Sequence, residues 1–296
     1  MQKLWQEKID THILIGNHDI YYRNTNKVNA VQELCTAPDG INEPFIYEEP
    51  KVVNFDGLNI LMMPWMNPEN EKQCLEMLNT APAEICMGHF DLNGFRMLDK
   101  MVQTHGYDKS IVSRFEKVFS GHFHHKSDDG QVFYLGSQYE MTWSDYANKK
   151  GFHIFDTETR ELEFIENPYT IFLRLNYHDD VIDYDKIDIN EYDQKFVKLV
   201  VTTKKNNQMF DRLLDNLYNK INVHELKILE DYSDLNQANV SDDVVEGSED
   251  TITLVNNYVD QLPVDLDKGR LKLMIKEMFV EAQDSFQTLQ QQVGLL

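Results

Sequence analysis

Three short apolar runs in the first half of the chain each break off at a glycine, and each glycine opens a polar segment carrying histidine. His12-Ile-Leu-Ile15 runs into Gly16-Asn17-His18-Asp19, Glu84-Ile-Cys-Met87 into Gly88-His89, and Lys117-Val-Phe-Ser120 into Gly121-His122-Phe123-His124. Short apolar runs bounded by glycine read as buried strands. The polar groups therefore sit just past strand ends, where open α/β sheets gather their binding sites. Leu4 to Ile9 reads as the end of a helix feeding a strand over Thr11–Ile15. Lys51–Phe55 and Leu58–Met62 flank Asp56-Gly57, and Gly151–Asp156 and Glu161–Glu166 flank Thr157–Arg160. Both pairs predict hairpins. Gln131–Leu135 is a further strand, and Pro168 marks a boundary.

Over residues 169–230 the pattern changes to strands at Thr170–Tyr177 and Phe196–Thr202, an amphipathic helix at Met209–Ile221, and a short strand at Leu226–Leu229. This predicts a small α+β accessory domain that carries no metal-ligand cluster. Residues 231–250 hold seven acids and no Lys or Arg, which predicts a solvated, disordered linker. Two helices broken at Pro263 follow, over Thr251–Gln261 and Asp265–Leu289. In the second, Leu271, Met274, Ile275, Met278, Phe279 and Ala282 form an apolar stripe at helical spacing. Such a stripe packs back on its own domain or docks onto another protein, and periodicity alone leaves both open.

Length and composition narrow the class. A chain of 296 residues with 42% hydrophobic content supports one good core plus smaller modules. No apolar stretch approaches the ~20 residues that span a bilayer, and Met1–Lys8 is too polar for a signal-peptide core. Cys35, Cys74 and Cys86 are odd in number and widely spaced. They point to reduced thiols in a cytoplasmic protein, not to a disulfide framework or a zinc knuckle. The balance of 28 basic against 50 acidic residues gives a net charge of -22. That excludes binding nucleic acid through a broad basic surface, because phosphate contacts need Lys and Arg. A polyanionic substrate would have to be held by metal cations, a local patch or a partner.

The histidine segments offer donors of the right kind. His122 and His124 are two apart, so in an extended segment they point the same way, with Phe123 opposite. Asn17 offers an amide oxygen for a hard cation, His18 an imidazole, and Asp19 a carboxylate able to orient that ring. Gly88-His89 is a weak signal alone, but three strand-glycine-ligand units in series are hard to obtain by accident. His125 points away and is read as a non-ligand. His12, His105, His153, His178 and His224 fit no ligand pattern, and Trp65 and Trp143 are assigned to the core.

Asn-His-Asp, then Gly-His, then Gly-His-x-His resembles the ordered second half of the calcineurin-like metallophosphoesterase signature. The segments 15–19, Met63-Pro-Trp-Met66, 88–95, 120–124 and 151–165 look like the SbcD-type nucleases, and among these like the nuclease subunits of T-even-type bacteriophages. The likeness runs through the accessory domain, linker and tail. It implies a calcineurin-like α/β fold, a β-sandwich flanked by helices, over residues 1–168. By the same resemblance Asn17, His89 and His122 bind one divalent ion and His124 a second, manganese by preference with magnesium as the alternative. His18 touches the scissile phosphate as general acid or charge stabiliser, with Asp19 holding its ring. The implied partners are DNA, an SbcC-type ATPase gripping 251–296, and a second copy of the chain, with no membrane.

One departure matters. The family signature opens with Asp-x-His and Gly-Asp upstream of Asn-His-Asp, and the sixteen residues before Asn17 contain neither in the required place. Asp10-Thr11-His12 spells Asp-x-His but enters the strand that ends at Asn17, and is set aside. Asn17, His89, His122 and His124 are all neutral donors. Two dications ~4 Å apart repel by roughly 17 kcal/mol at an effective dielectric of about 20, and a bridging carboxylate normally offsets this. The expectation is an N-terminally incomplete domain that alone binds one metal weakly and a second hardly at all. Three functions follow: a metal-dependent nuclease subunit, a catalytically incompetent fragment that only docks to the ATPase, or a small-molecule metallophosphodiesterase. The acidic linker and helical tail favour the first two over the third.

Overall fold

The computed structural model describes residues 3–4, 7–35, 43–98, 101–103, 106–229, 259, 267–272 and 274. Two compact units separate: Met1–Tyr139 with Ala147–Tyr169, and Glu140–Tyr146 with Thr170–Leu296. The acidic linker at 231–250 lies outside the described residues, as does most of the tail.

The first unit holds strands β1 (His12–Leu14), β2 (Phe45–Tyr47), β3 (Lys51–Phe55), β4 (Leu58–Met63), β5 (Ile85–Gly88), β6 (Arg96–Leu98), β7 (Met101–Val102), β8 (Lys117–Ser120), β9 (Ser127–Asp128), β10 (Val132–Tyr134), β11 (Gly151–Phe155) and β12 (Leu162–Glu166). Its helices are α1 (Ala30–Leu34) and α2 (Glu71–Thr80). The main sheet is six-stranded in the order β3-β4-β5-β8-β10-β9. β4, β5, β8 and β10 run parallel, with β3 and β9 antiparallel at the edges. Strands buried on both faces read as continuous apolar runs without alternation, as the stretches before Gly88 and Gly121 do. On one face Leu61, Met63, Cys86 and Val118 pack against Cys74 and Leu78 of α2. On the other, Leu58, Ile60, Ile85 and Phe119 meet Leu14 and Tyr47 from the β1-β2 pair, and Phe155 and Leu162 from the β11-β12 hairpin. The result is a mixed α/β fold in layers: helix, large sheet, and two small sheets.

The hairpins form where turn chemistry placed them. Asp56 and Gly57 both take positive φ (51° and 94°), the combination a tight two-residue turn requires. Other limits moved by a residue or two. β1 is shorter than the expected Thr11–Ile15: Ile15 keeps its N–H on the Tyr47 carbonyl (3.3 Å) but turns its own carbonyl to the Trp65 N–H (2.8 Å). The helix expected to end near Ile9 is closed by Lys8 at φ 56°, with the Ile9 N–H returning to the Leu4 carbonyl (3.0 Å). Helix α2 was not anticipated. Only Cys74 and Leu78 of it are fully buried, a face too narrow to stand out among Glu, Lys and Asn. The Arg114 guanidinium gathers the carbonyls of Met77, Leu78 and Ala81 at its end. All three cysteines are free.

The second unit is a three-stranded parallel sheet of β13 (Phe172–His178), β14 (Phe196–Thr203) and β15 (Glu225–Leu229), with helix α3 (Asn207–Asn219) crossing between the last two. α3 starts two residues earlier than its apolar periodicity indicates. Asn206 caps it, accepting the Met209 N–H (3.0 Å). Phe210, Leu213 and Leu217 bury its inner face against Tyr177, Val197 and Leu199. Trp143 packs on Phe172, with the Lys198 ammonium 4.2 Å above its ring. In the tail, Asp267 accepts the Arg270 N–H and starts a helical stretch. Of the stripe, Ile275, Met278, Phe279 and Ala282 lie outside the described residues.

Candidate metal centre

The parallel strands end abreast. Met63 pairs with Gly88, Gly88 with Ser120, and Ser120 with Tyr134. The ladder runs one step further, with the His89 N–H on the Met63 carbonyl (3.2 Å) and the Gly121 N–H on the Gly88 carbonyl (3.0 Å). The Trp65 N–H bonds the Ile15 carbonyl (2.8 Å), so the loop after β4 and the segment opening at Gly16 meet at the same level. Trp65, His89, His122 and the Asn17 turn therefore gather at the carboxyl ends of the sheet.

His89 is the centre of the cluster. Its Nε2 lies 2.8 Å from Asn17 Oδ1, and its ring centroid is 5.3 Å from that of His122. A Cβ on Gly16 would stand 2.8 Å from His89 Cε1, and one on Gly121 3.0 Å from His89 Nδ1. Two of the three motif glycines thus exist to admit one imidazole. The Trp65 ring walls the cluster, 5.9 Å from His89 and 5.4 Å from His122. Its carbonyl is held by the amide groups of Asn26 and Asn70 (2.9 and 3.0 Å). Trp65, assigned to the core from sequence, lines the site instead.

The other candidates fall into place around this pair. Asp19 Oδ2 accepts the Gly16 N–H (2.7 Å) and closes the turn that presents Asn17 and His18. His18 stands close enough to lower the basicity of both His89 and His122. The segment after β8 is bent, not extended, and His122 takes φ 82°. This is a left-handed conformation that a non-glycine residue holds only when its surroundings impose it. The extended-pair argument for His122 and His124 is corrected accordingly: a turn sets their direction, not strand pleating. The His124 carbonyl accepts the Lys150 ammonium (2.8 Å) and the Ser137 N–H (3.1 Å), so the Gly136-Ser137 loop braces that residue. His125 is buried, with Nδ1 3.1 Å from the Asn148 amide nitrogen.

Sequence reasoning missed Asp91. Its Oδ1 lies 3.8 Å from His122 Nε2, so a carboxylate does stand beside one of the four neutral donors. The only signal was its place two residues past His89 in the segment 88–95.

Burial pushes His89 down to about 3, with His122 and His18 adding to the effect. Burial also takes His122 down to about 4, against the pull of Asp91. Both rings are therefore neutral near pH 7, the form that ligates metal. A partly buried amide oxygen facing a neutral imidazole suits a divalent ion in donor chemistry. Among the described residues, no group of three or more His, Cys, Asp or Glu side chains is disposed to hold a metal.

The depressed His89 pKa carries a consequence for metal-free protein. The unfolded chain binds a proton at the ordinary 6.5 and the folded chain only near 3. Stability is thus fully present above pH 6.5 and falls as pH drops toward 3, by up to roughly 1.4 kcal/mol per pH unit. Urea unfolding in EDTA from pH 4.5 upward should show a shallower acid loss in His89→Gln than in wild type. Parallel curves would remove this account.

No protein-family model matches the chain. It is 33% identical to exonuclease subunit 1 of Enterobacteria phage T4 over 286 residues, covering 95% of this chain and 80% of that protein. The chain belongs to the SbcD-like family of exonuclease subunits. The cluster is carried on a mixed α/β fold with a large sheet and few helices. No helix among the described residues of this SbcD-like chain is long and apolar enough to cross a membrane.

Proposed function

We propose that this chain is the metal-dependent nuclease subunit of a phage recombination and repair complex, hydrolysing DNA phosphodiesters on a calcineurin-like fold. The observation that carries the reading is the Asn17–His89 contact at 2.8 Å with His122 and Trp65 beside it, at the carboxyl ends of β4, β5 and β8. Asn17, His89 and His122 would hold one ion and His124 a second. Bound divalent ions, Mn²⁺ or Mg²⁺, would supply an activated nucleophile and neutralise phosphate charge. His18, on the same turn as Asn17, donates a proton to the leaving oxygen or stabilises the phosphate. Asp19 fixes that turn by holding the Gly16 N–H.

Because this chain carries a net charge of -22, DNA would be held largely through bound ions and a partner. The partner is an SbcC-type ATPase engaged by 251–296, in the cytoplasm where phage DNA is processed. The relative's name places it as one subunit of a nuclease, which favours this reading over a free-standing small-molecule phosphodiesterase. The test is Mn²⁺-dependent turnover of duplex DNA ends against a chromogenic phosphodiester, with the partner ATPase present. Preference for DNA supports the assignment. Turnover of the diester with DNA left intact transfers the site to small molecules.

A further inference from the structure

Resting on the metal-centre reading, we propose that Asp91 is a positioning residue that fixes the tautomer of His122, holding Nε2–H toward itself and leaving Nδ1 as the donor for the metal. His122 Nε2 faces Asp91 Oδ1 at 3.8 Å, longer than a hydrogen bond, and beside a neutral ring the carboxylate charge favours an N–H over a lone pair on the nitrogen that faces it. A carboxylate behind a ligating imidazole sets which nitrogen carries the proton and how the ring is aimed.

Asp91 is itself held from several sides. Gln103 Nε2 donates to Oδ1 (2.7 Å), and the Tyr107 N–H donates to the Asp91 carbonyl (2.8 Å). The Tyr134 hydroxyl accepts the Leu92 N–H (3.0 Å) and donates to the Phe90 carbonyl (3.1 Å), bracketing Asp91 along the chain. Gly106 takes φ 97°, and a Cβ there would stand 2.4 Å from the Asp91 carbonyl oxygen. Gln103, Gly106 and Tyr107 thus close onto this aspartate. Such support is surplus for a solvated surface acid and fits one aimed at a neighbouring ring.

Long-range ¹H–¹⁵N NMR on histidine-labelled, metal-free protein reads the tautomer directly, with no DNA and no metal. Wild type should show His122 as the Nε2–H form, and Asp91→Ala should move it toward a mixture. Mn²⁺ calorimetry should show affinity lower by about 10–100-fold in Asp91→Ala, with Asp91→Glu recovering part of it. An Nδ1–H tautomer in wild type overturns the proposal without any variant having to fold. Unchanged tautomer and Mn²⁺ affinity in a folded Asp91→Ala protein overturns it equally. A failed nuclease reading would appear in DNA turnover and in neither of these measurements.

Discussion

His18→Ala is expected to lower Mn²⁺-dependent DNA cleavage by about 10²–10⁴-fold, the usual worth of a positioned general acid, while Mn²⁺ affinity stays at the wild-type level. The two effects separate because the turn carrying His18 does not depend on its ring. Asp19 accepts the Gly16 N–H, and the Asp19 N–H returns to the Gly16 carbonyl (3.2 Å), so the backbone presenting Asn17 is fixed without the imidazole. Asn17 Oδ1 keeps its contact with His89 Nε2. Removing the neighbouring ring also relieves His89 and His122 of a group that opposes their protonated forms. Single-turnover cleavage alongside Mn²⁺ calorimetry decides the matter. Cleavage at the native rate would strip His18 of its role, and loss of metal would make it a ligand.

Gly16→Ala should damage the centre as badly by a different route. The new methyl would sit 2.8 Å from His89 Cε1 and within 3.1 Å of both ring nitrogens, closer than packed atoms tolerate. The ring has little room to retreat, because Gly121 also packs close to its Nδ1 and the His89 backbone is tied to Met63. Overpacking costs about 1–3 kcal/mol, so the fold should survive with a lower melting temperature. The Asn17–His89 contact should not, and Mn²⁺ affinity should fall at least about tenfold, the size of effect expected when a ligand's support is lost. Gly121→Ala, at 3.0 Å from Nδ1, should do the same more mildly. Native Mn²⁺ affinity in Gly16→Ala would show that His89 is not a ligand.

What the sequence made legible follows from local rules. Buried parallel strands announce themselves as short apolar runs, and Asp56-Gly57 names its own turn, so β3, β4, β5 and β8 lie within a residue of where the pattern put them. The histidine-bearing segments were equally plain, because each glycine interrupts a strand. What stayed hidden depends on contacts made only after folding. Asp91 reaches His122 through a loop that closes at Gln103 and Tyr107. Asn26, Asn29, Asn67 and Asn70 look like ordinary loop residues, yet all are buried. Asn26 alone binds the carbonyls of Glu48 and Trp65, and it accepts from Asn67. No spacing rule reports a network whose members are brought together by three separate loops. The bend at His122 was missed for the same reason: a φ of 82° on a histidine is imposed from outside.

The row formed by Met63, Gly88, Ser120 and Tyr134 limits how this site can be re-engineered. Slipping any strand by one residue inverts its side chains, and slipping by two carries its donor some 6.5–7 Å along the strand. Neither offers a gradual path to a new ion or substrate. Adaptation must therefore be confined to the connecting loops, while the strand ends behave as a fixed rack on which alternative chemistries are hung.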